Sequence, residues 1–435
     1  MGLKAMEPQQ TTSTKKVLIL GAGSAGLSAS IEFNRIINKY PIEITVVDQK
    51  NYHFYRPLLY QVVTGSIPHT HATFPLHRLL MNKRSAKEIK FRQGWISSID
   101  IESRKVTIDS EESEWDYLIV ALGCTTNFFN MSVLEANAMP FRSLKDGIDL
   151  HNRIVDNFVA ALIHDDEQRQ RELLTFVVIG GGPTGVELAA SIQEFIQRAL
   201  KQEYPSLTAV ARVILIEAQG AVLSAMKNEI GELAINKLRS RGVDVMLNTR
   251  VSKAWPTGLE TFDGRVIPTC TIVWSAGVKP VPIVESLPFE KAGDGRIITN
   301  EYFEVPGFNG IYAIGDCAYV LRPDGSGPYP ATHQVAVRQG PVCTRNIMNI
   351  IKGKSQRPFR YRFIGQVMYV DRNTSVAQVL GHVFDGCLAA IGRRLVFVWI
   401  LITYPRLLNR LDRKLSTFLE WIFAYFYRRN TAHIE

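Results

Sequence analysis

No two of the five cysteines, Cys124, Cys270, Cys317, Cys343 and Cys387, stand in a C-x-x-C spacing. That excludes a zinc ribbon and a C-x-x-C redox centre, and no metal site is expected. An odd number of scattered thiols points to free cysteines in a reducing compartment. Residues 1–15 contain neither an apolar run nor an arginine, which argues against a secretory signal and a mitochondrial presequence. Position six is Met6, not the Ser or Thr of a myristoylation signal. This stretch reads as a disordered tail. The uncharged apolar run Leu395–Tyr404 stops after ten residues. A bilayer-spanning helix needs about 20.

Hydrophobic residues make up 46% and charged residues 21% of the 435 positions, enough apolar side chain for a sizeable core. At about 100–200 residues per domain, the length suggests two or three domains. The formal charge is +9, unevenly placed. From Arg393 to Glu435, eight Lys and Arg oppose Asp412, Glu420 and Glu435, for a net +5. Within that stretch Leu408, Leu411, Leu415, Phe418, Leu419, Ile422, Phe423 and Phe426 recur at helical spacing. A basic amphipathic helix of this kind suits an anionic membrane surface; the alternative is a helix that covers a core or a homodimer interface. No nucleic-acid motif accompanies the charge, so no nucleic-acid partner is expected.

Two glycine-rich turns each follow an apolar run. Gly21, Gly23 and Gly26 follow Val17–Leu20, and Gly180, Gly182 and Gly185 follow Phe176–Ile179. In a strand–turn–helix unit the first glycine permits the tight turn and the second lets a pyrophosphate approach the backbone. The third lets helix and strand pack closely. The helix N-terminus then offers N–H groups and a positive dipole end to the phosphates. An acid at the end of the next strand completes the pattern by binding a ribose. Asp48 ends Ile42–Val47, and Glu217 ends Val213–Ile216 after a longer gap, read as a longer helix. One such turn alone is compatible with a merely packed βα unit; two complete units point to two dinucleotides. No arginine follows Glu217, which favours NADH over NADPH. Three further apolar runs end at glycine, at Gly123, Gly277 and Gly315. Asp316 follows the last and suits a polyol hydroxyl or, equally, a helix cap before Ala318.

The order of these elements resembles the two-dinucleotide-domain flavoprotein oxidoreductases. More narrowly, Asn51–Val62, Phe176–Ala189 and Trp274–Val278 resemble type II, non-proton-pumping NADH dehydrogenases. The resemblance covers roughly residues 16–345 well and the C-terminal tail loosely. It implies an α/β fold with two Rossmann-like domains, for FAD and NADH, plus a C-terminal amphipathic helical membrane-binding region. The segments are 16–150 and 291–345 for FAD, 151–290 for NADH, and 346–435 for membrane association. It implies FAD held by Gly21, Gly23, Ser24, Ala25, Gly26, Asp48, Gln49, Gly123, Asp316 and Gln334. NADH is held by Gly180, Gly182, Pro183, Thr184, Gly185, Glu187, Glu217, Ala276 and Gly277. The acceptor it implies is a quinone, and the place a peripheral one on the cytoplasmic face of the membrane or its organellar equivalent. Glu187, read as lying in the first turn of its helix, has as counterpart a glutamate that faces the nicotinamide; the plain alternative is a carboxylate placed there by the helix dipole.

Departures fall at two points, and at one of them Gly365-Gln366-Val367-Met368-Tyr369 fits the family's tail only loosely. The family's Ala-Gln-x-Ala-x-Gln element stands here as His333-Gln334-Val335-Ala336-Val337-Arg338, with Gln339 one place beyond. Gln334 and Ala336 are kept. The quinone is expected near Gln334 and His333, and His333, a titratable group, is a candidate proton donor to the quinol. The competing readings are a sulfide:quinone oxidoreductase using Cys124 and Cys317, and a flavin-bound redox sensor with slow turnover.

Overall fold

A computed structural model describes residues 14–37, 40–80, 89–403, 419 and 431–434. The tail expected over residues 1–15 lies outside them except for its last two positions. Lys15 already opens a strand there, because its backbone pairs with Ile42. The Leu408–Phe426 stripe lies outside the described residues except for Leu419.

The elements that position the site are, in chain order, β1 (Lys15–Leu20), α1 (Ser24–Ile36), β2 (Ile42–Asp48), β3 (Lys90–Gln93) and β4 (Tyr117–Val120). They continue with α2 (Leu144–Leu162), β5 (Thr175–Ile179), α3 (Pro183–Phe195), β6 (Arg212–Ile216), β7 (Val243–Met246) and β8 (Thr271–Trp274). Last come β9 (Ile311–Ala313), α4 (His333–Ile351), β10 (Gly365–Asp371), β11 (Thr374–Val379), β12 (His382–Asp385) and α5 (Gly386–Thr403).

The chain divides into two compact units. The first comprises residues up to 53 with 75–124 and 280–361. Its sheet has the order β9-β4-β1-β2-β3, and every pairing is parallel. The second comprises 54–74, 125–279 and residues from 362 on. Its sheet runs Met139–Pro140, β8, β5, β6, β7, again all parallel. Both sheets are covered on two faces, as their continuous apolar runs require. Val17, Leu18, Ile19 and Leu20 are at most 2% exposed. Each such side chain contributes about 1.5–3 kcal/mol by leaving water.

The two sheets repeat one plan. The strand that enters a glycine turn is central, the acid-bearing strand lies on one side, and the strand ending at Gly123 or Gly277 lies on the other. Leu20 pairs with Val47 and Val120, and Ile179 pairs with Ile216 and Trp274. Register alone thus brings Asp48 beside the first glycine turn and Glu217 beside the second.

In the second unit, β10, β11 and β12 form an antiparallel sheet that leads into α5. α5 contains the start of the apolar run at Leu395. Leu388, Ile391 and Leu395 form an exposed apolar stripe on it, while Ala389, Ala390 and Arg393 face inward. Among the described residues no helix is long and apolar enough to cross a membrane. Residues 431–434 return to α2, where Asn152 Oδ1 accepts from the Ile434 amide at 2.8 Å and Asn152 Nδ2 donates to the Ile434 carbonyl at 2.8 Å.

Candidate cofactor sites

The first glycine turn is a cradle shaped for an anion. Gly21 has φ of 98°, in the left-handed region. A Cβ on Gly26 would stand 1.9 Å from the Gly21 carbonyl oxygen, whereas one on Gly23 would meet nothing within 4 Å. The chain is therefore closed at the third glycine and open at the second. Gly23 is the N-cap of α1, and no side chain caps that helix. By contrast, α2 begins with a capping box in which Ser143 and Asp146 satisfy each other's amides. The uncapped start leaves backbone N–H groups for a phosphate. Asp48 Oδ2 accepts from the Ala22 amide at 2.8 Å, and Oδ1 accepts from the Lys50 amide at 2.9 Å. Burial raises this carboxyl above its usual range while both amides oppose the rise. Gln49 is exposed next to it. His53 is buried with Nδ1 3.1 Å from the Ala22 carbonyl.

The second turn copies the first. Gly180 has φ of 111° and a Cβ on Gly185 would stand 1.9 Å from the Gly180 carbonyl oxygen. A Cβ on Gly182 would meet nothing within 4 Å. α3 also lacks a side-chain cap, and Pro183 occupies its first turn with Thr184 exposed beside it. Glu217 Oε2 accepts from the Gly181 amide at 2.5 Å, and Oε1 accepts from the Gln219 amide at 2.8 Å. Ala276 closes the turn from the neighbouring strand, its amide nitrogen 2.8 Å from where a Gly180 Cβ would be. Gly277 has φ of 100°. The separation between turn and acid is 36 residues against 26 in the first unit. The difference is the expected longer helix: α3 runs on through a π-turn at Ile196–Leu200 to Glu203.

Glu187 does not lie in the first turn of α3. That turn contains no acid, because the helix begins at Pro183. A dipole-placed carboxylate is thus the wrong description. Glu187 Oε1 accepts from the Tyr369 amide at 3.1 Å. Burial pushes its carboxyl up to about 8, although Arg393 pulls it down. Around it stand residues the sequence did not single out. The Tyr369 ring stacks on Tyr60 at 5.2 Å, and the Arg393 guanidinium lies 4.7 Å from the Tyr369 ring centroid. Arg393 Nε donates to Ser375 Oγ at 3.0 Å. Arg393 opens the basic stretch in the sequence, yet it is buried, since Ser375 and the Tyr369 ring take it out of solvent. The Tyr369 hydroxyl donates to the Glu194 carboxylate.

In the first unit, α4 carries the departing motif. His333 Nδ1 lies 2.7 Å from Ser24 Oγ. Gln334 Oε1 accepts from the Tyr361 hydroxyl at 3.0 Å, while the Arg338 guanidinium lies 5.2 Å from the Tyr361 ring centroid. Gln339, one place beyond the departing motif, is 2% exposed, and its Oε1 accepts from the Gly315 amide at 2.6 Å. It thereby fixes the turn that presents Asp316. That turn is a single 3-10 turn, Gly315–Cys317, followed by the strand Ala318–Val320. The helix-cap alternative for Asp316 is therefore wrong, because no helix follows for it to cap. Cys124 Sγ donates to Asp316 Oδ2 at 3.3 Å, and Gly123 just before it has φ of 72° with open space where a Cβ would be.

None of the five cysteines forms a disulfide. Cys317 is fully buried, and burial pushes its thiol up to about 11. It is a packed side chain with no thiolate to offer at neutral pH. Among the described residues no cluster of His, Cys, Asp and Glu could hold a metal ion.

Two parallel sheets with matching glycine cradles coincide with a known sequence pattern. The pyridine nucleotide-disulphide oxidoreductase pattern matches residues 15–340, well over half of the chain. The chain belongs to this family. A type II NADH:quinone oxidoreductase of Mycobacterium tuberculosis is 29% identical over 93% of this chain and 87% of that relative. A probable NADH dehydrogenase of Dictyostelium discoideum is 28% identical over 84% of this chain and 80% of the relative. Among solved structures, NDH2 from Plasmodium falciparum in complex with NADH superposes with a TM-score of 0.87. It covers 96% of this chain and 100% of that one at 18% identity, a likeness of fold.

Proposed function

We propose that this member is an FAD-dependent NADH:quinone oxidoreductase. The duplicated cradle carries the reading: two turns with the same steric demand, each with an ordered carboxylate and an uncapped helix start, serve two dinucleotides in one chain. The names of the relatives support the pairing of NADH with a quinone. The first cradle fits FAD, with Gly21, Gly23, Ser24, Ala25 and Gly26 at the pyrophosphate. Asp48 and Gln49 serve the adenosine ribose, and Gly123, Asp316 and Gln334 the flavin end. The second fits NADH through Gly180, Gly182, Pro183, Thr184 and Gly185, with Glu217 at the ribose and Ala276, Gly277 and Glu187 toward the nicotinamide. The proposed FAD segments at 16–150 and 291–345 and NADH segment at 151–290 follow the cradles, whereas the compact units place 54–74 and 125–150 with the second sheet and 280–290 with the first.

Bound flavin supplies the hydride acceptor and the two-electron donor to a quinone. The chain binds, orients and holds protons. Glu187 keeps its carboxyl proton at neutral pH, with Oε1 occupied by the Tyr369 amide. Stopped-flow mixing tests the whole scheme: NADH bleaches the flavin absorbance and a short-chain quinone restores it. No bleaching by either NADH or sulfide would leave only a sensor.

Two further outcomes are expected at this site. Glu217 places a carboxylate where a 2′-phosphate would sit, so Glu217→Gln is expected to narrow the NADH over NADPH preference by at least about tenfold in kcat/KM. An unchanged ratio would remove Glu217 from the ribose. For sulfide chemistry the buried Cys317 is unsuited, so sulfide is expected to leave the flavin oxidised and Cys124→Ser to keep NADH turnover. Bleaching by sulfide alone would restore the rejected alternative.

A peripheral place on an anionic membrane surface, at its cytoplasmic or equivalent face, is supported by the basic stretch beyond Arg393 and by the outward Leu388, Ile391 and Leu395. Replacing Arg406, Arg410, Arg413, Lys414, Arg428 and Arg429 by glutamine is expected to abolish salt-sensitive flotation with anionic vesicles. Such a change leaves the buried Arg393 intact, as a deletion from residue 393 would not.

A further inference from the structure

α1 and α4 run in the same direction in direct contact. His333, the first residue of α4, meets Ser24, the first residue of α1. One turn and more along, a Cβ on Gly340 would stand 2.2 Å from Ser28 Oγ and 2.5 Å from the Ala25 carbonyl oxygen. Further on, Thr344 Oγ1 donates to the Ala29 carbonyl at 3.0 Å and Arg345 Nε donates to Glu32 Oε1 at 2.7 Å. The contacts ascend together along both helices, so the two N-termini lie side by side at the first cradle. Both positive dipole ends thus face the same place. The Ser24–His333 pair, at 2.7 Å, ties them.

A serine hydroxyl has one proton to give and lone pairs to accept with. Where His333 Nδ1 carries a proton, it donates to Ser24 Oγ, and the Ser24 proton remains for another acceptor. Where Nδ1 is bare, it consumes the Ser24 proton. An anion at the open Gly23 favours the first arrangement, since a chain of donors aimed at a negative oxygen is the stronger one.

We propose that His333 is a positioning residue for the FAD pyrophosphate: it donates to Ser24 and turns the Ser24 hydroxyl proton onto a phosphate oxygen. The inference rests on the reading that the first cradle holds FAD. It moves His333 from the quinol proton path to the cofactor. Gln339, on the same helix, serves the flavin side through Gly315, so α4 braces both the pyrophosphate and the flavin part of the FAD site.

The test is FAD release on dilution of purified holoenzyme, followed by flavin fluorescence. His333→Ala and Ser24→Ala are each expected to weaken FAD binding about tenfold or more, the worth of a hydrogen bond to a charged group. The double variant should lose little beyond the larger single effect, because both residues act through one bond. His333→Asn places an amide N–H near the Nδ1 position and is expected to recover most of the affinity. Flavin-stripped wild type and His333→Ala should melt together, with only the rise on adding FAD diminished, which separates cofactor positioning from folding. FAD affinity of His333→Ala within twofold of wild type overturns the proposal, as do single losses that simply add. Loss of quinone turnover with FAD fully retained also overturns it and returns His333 to the acceptor side. If wild-type protein takes up no FAD, the underlying FAD reading itself is wrong.

Discussion

Gly185→Ala is expected to yield a yellow, flavin-bearing protein that NADH no longer reduces. The added Cβ would stand 1.9 Å from the Gly180 carbonyl oxygen and 2.7 Å from Ser275 Oγ. A backbone carbonyl cannot rotate aside as a side chain can, so α3 must move away from the turn. Overpacking of this kind costs about 1–3 kcal/mol, here toward the upper end because the contact is with backbone. Spent on the cradle, that is roughly a hundredfold in NADH affinity. The matching change, Gly26→Ala, makes the same 1.9 Å contact with the Gly21 carbonyl and is expected to yield colourless protein. The pair of variants separates the two sites. Absorbance at purification reads the first cradle, and flavin bleaching by NADH reads the second. Gly26→Ala protein that keeps its flavin but loses reduction by NADH would reverse the assignment.

Glu187→Gln is expected to flatten the pH dependence of both activity and stability. The carboxyl titrates at about 8 against an ordinary 4.5, because burial outweighs the pull of Arg393. A folded-state value raised above the unfolded one gives stability that is full below about 4.5 and is lost as pH rises through about 8. Wild type therefore loses up to a few kcal/mol across that window that the glutamine variant does not lose. In thermal melts the variant is expected to be the more stable protein at pH 9, with the difference shrinking toward pH 5. In turnover, wild-type activity should fall as pH passes about 8, where the Glu187 proton leaves. The variant, lacking that proton, should run about tenfold to a hundredfold slower with a level profile. A wild-type profile with no inflection near pH 8, or a variant that keeps it, would show that another group sets the pH dependence.

The legible parts were those that depend on short stretches of chain. The turn at Gly21–Gly26 needs glycine for reasons local to six residues, and Asp48 lies one strand away, so spacing suffices to find it. The same holds for Gly180–Gly185 and Glu217. The environment of Glu187 was not legible. Tyr60 and Glu187 come from segments far from the hairpin that pairs Tyr369 with Ser375 and from the α5 residue Arg393, and no spacing rule connects them. Arg393 was the most misleading, because a basic residue at the start of a basic stretch reads as solvated until its partners are known. Asp316 was ambiguous for a related reason: a carboxylate before Ala318 caps a helix or does not, depending on whether a helix follows.

What the sequence determined by itself is the pair of dinucleotide turns and their acids, and with them an oxidoreductase of two parallel sheets. Steric exclusion at glycine and the alternation of strand and helix act over tens of residues, and they leave their mark in order and spacing. What only the tertiary structure decided is which distant groups share an environment. It tied His333 to Ser24, set Gln339 under the Asp316 turn and buried Arg393 over Tyr369. It also showed Cys317 to be a packed thiol. Each of these arises from desolvation and hydrogen-bond geometry between segments up to hundreds of residues apart, and such forces write no local pattern into the chain.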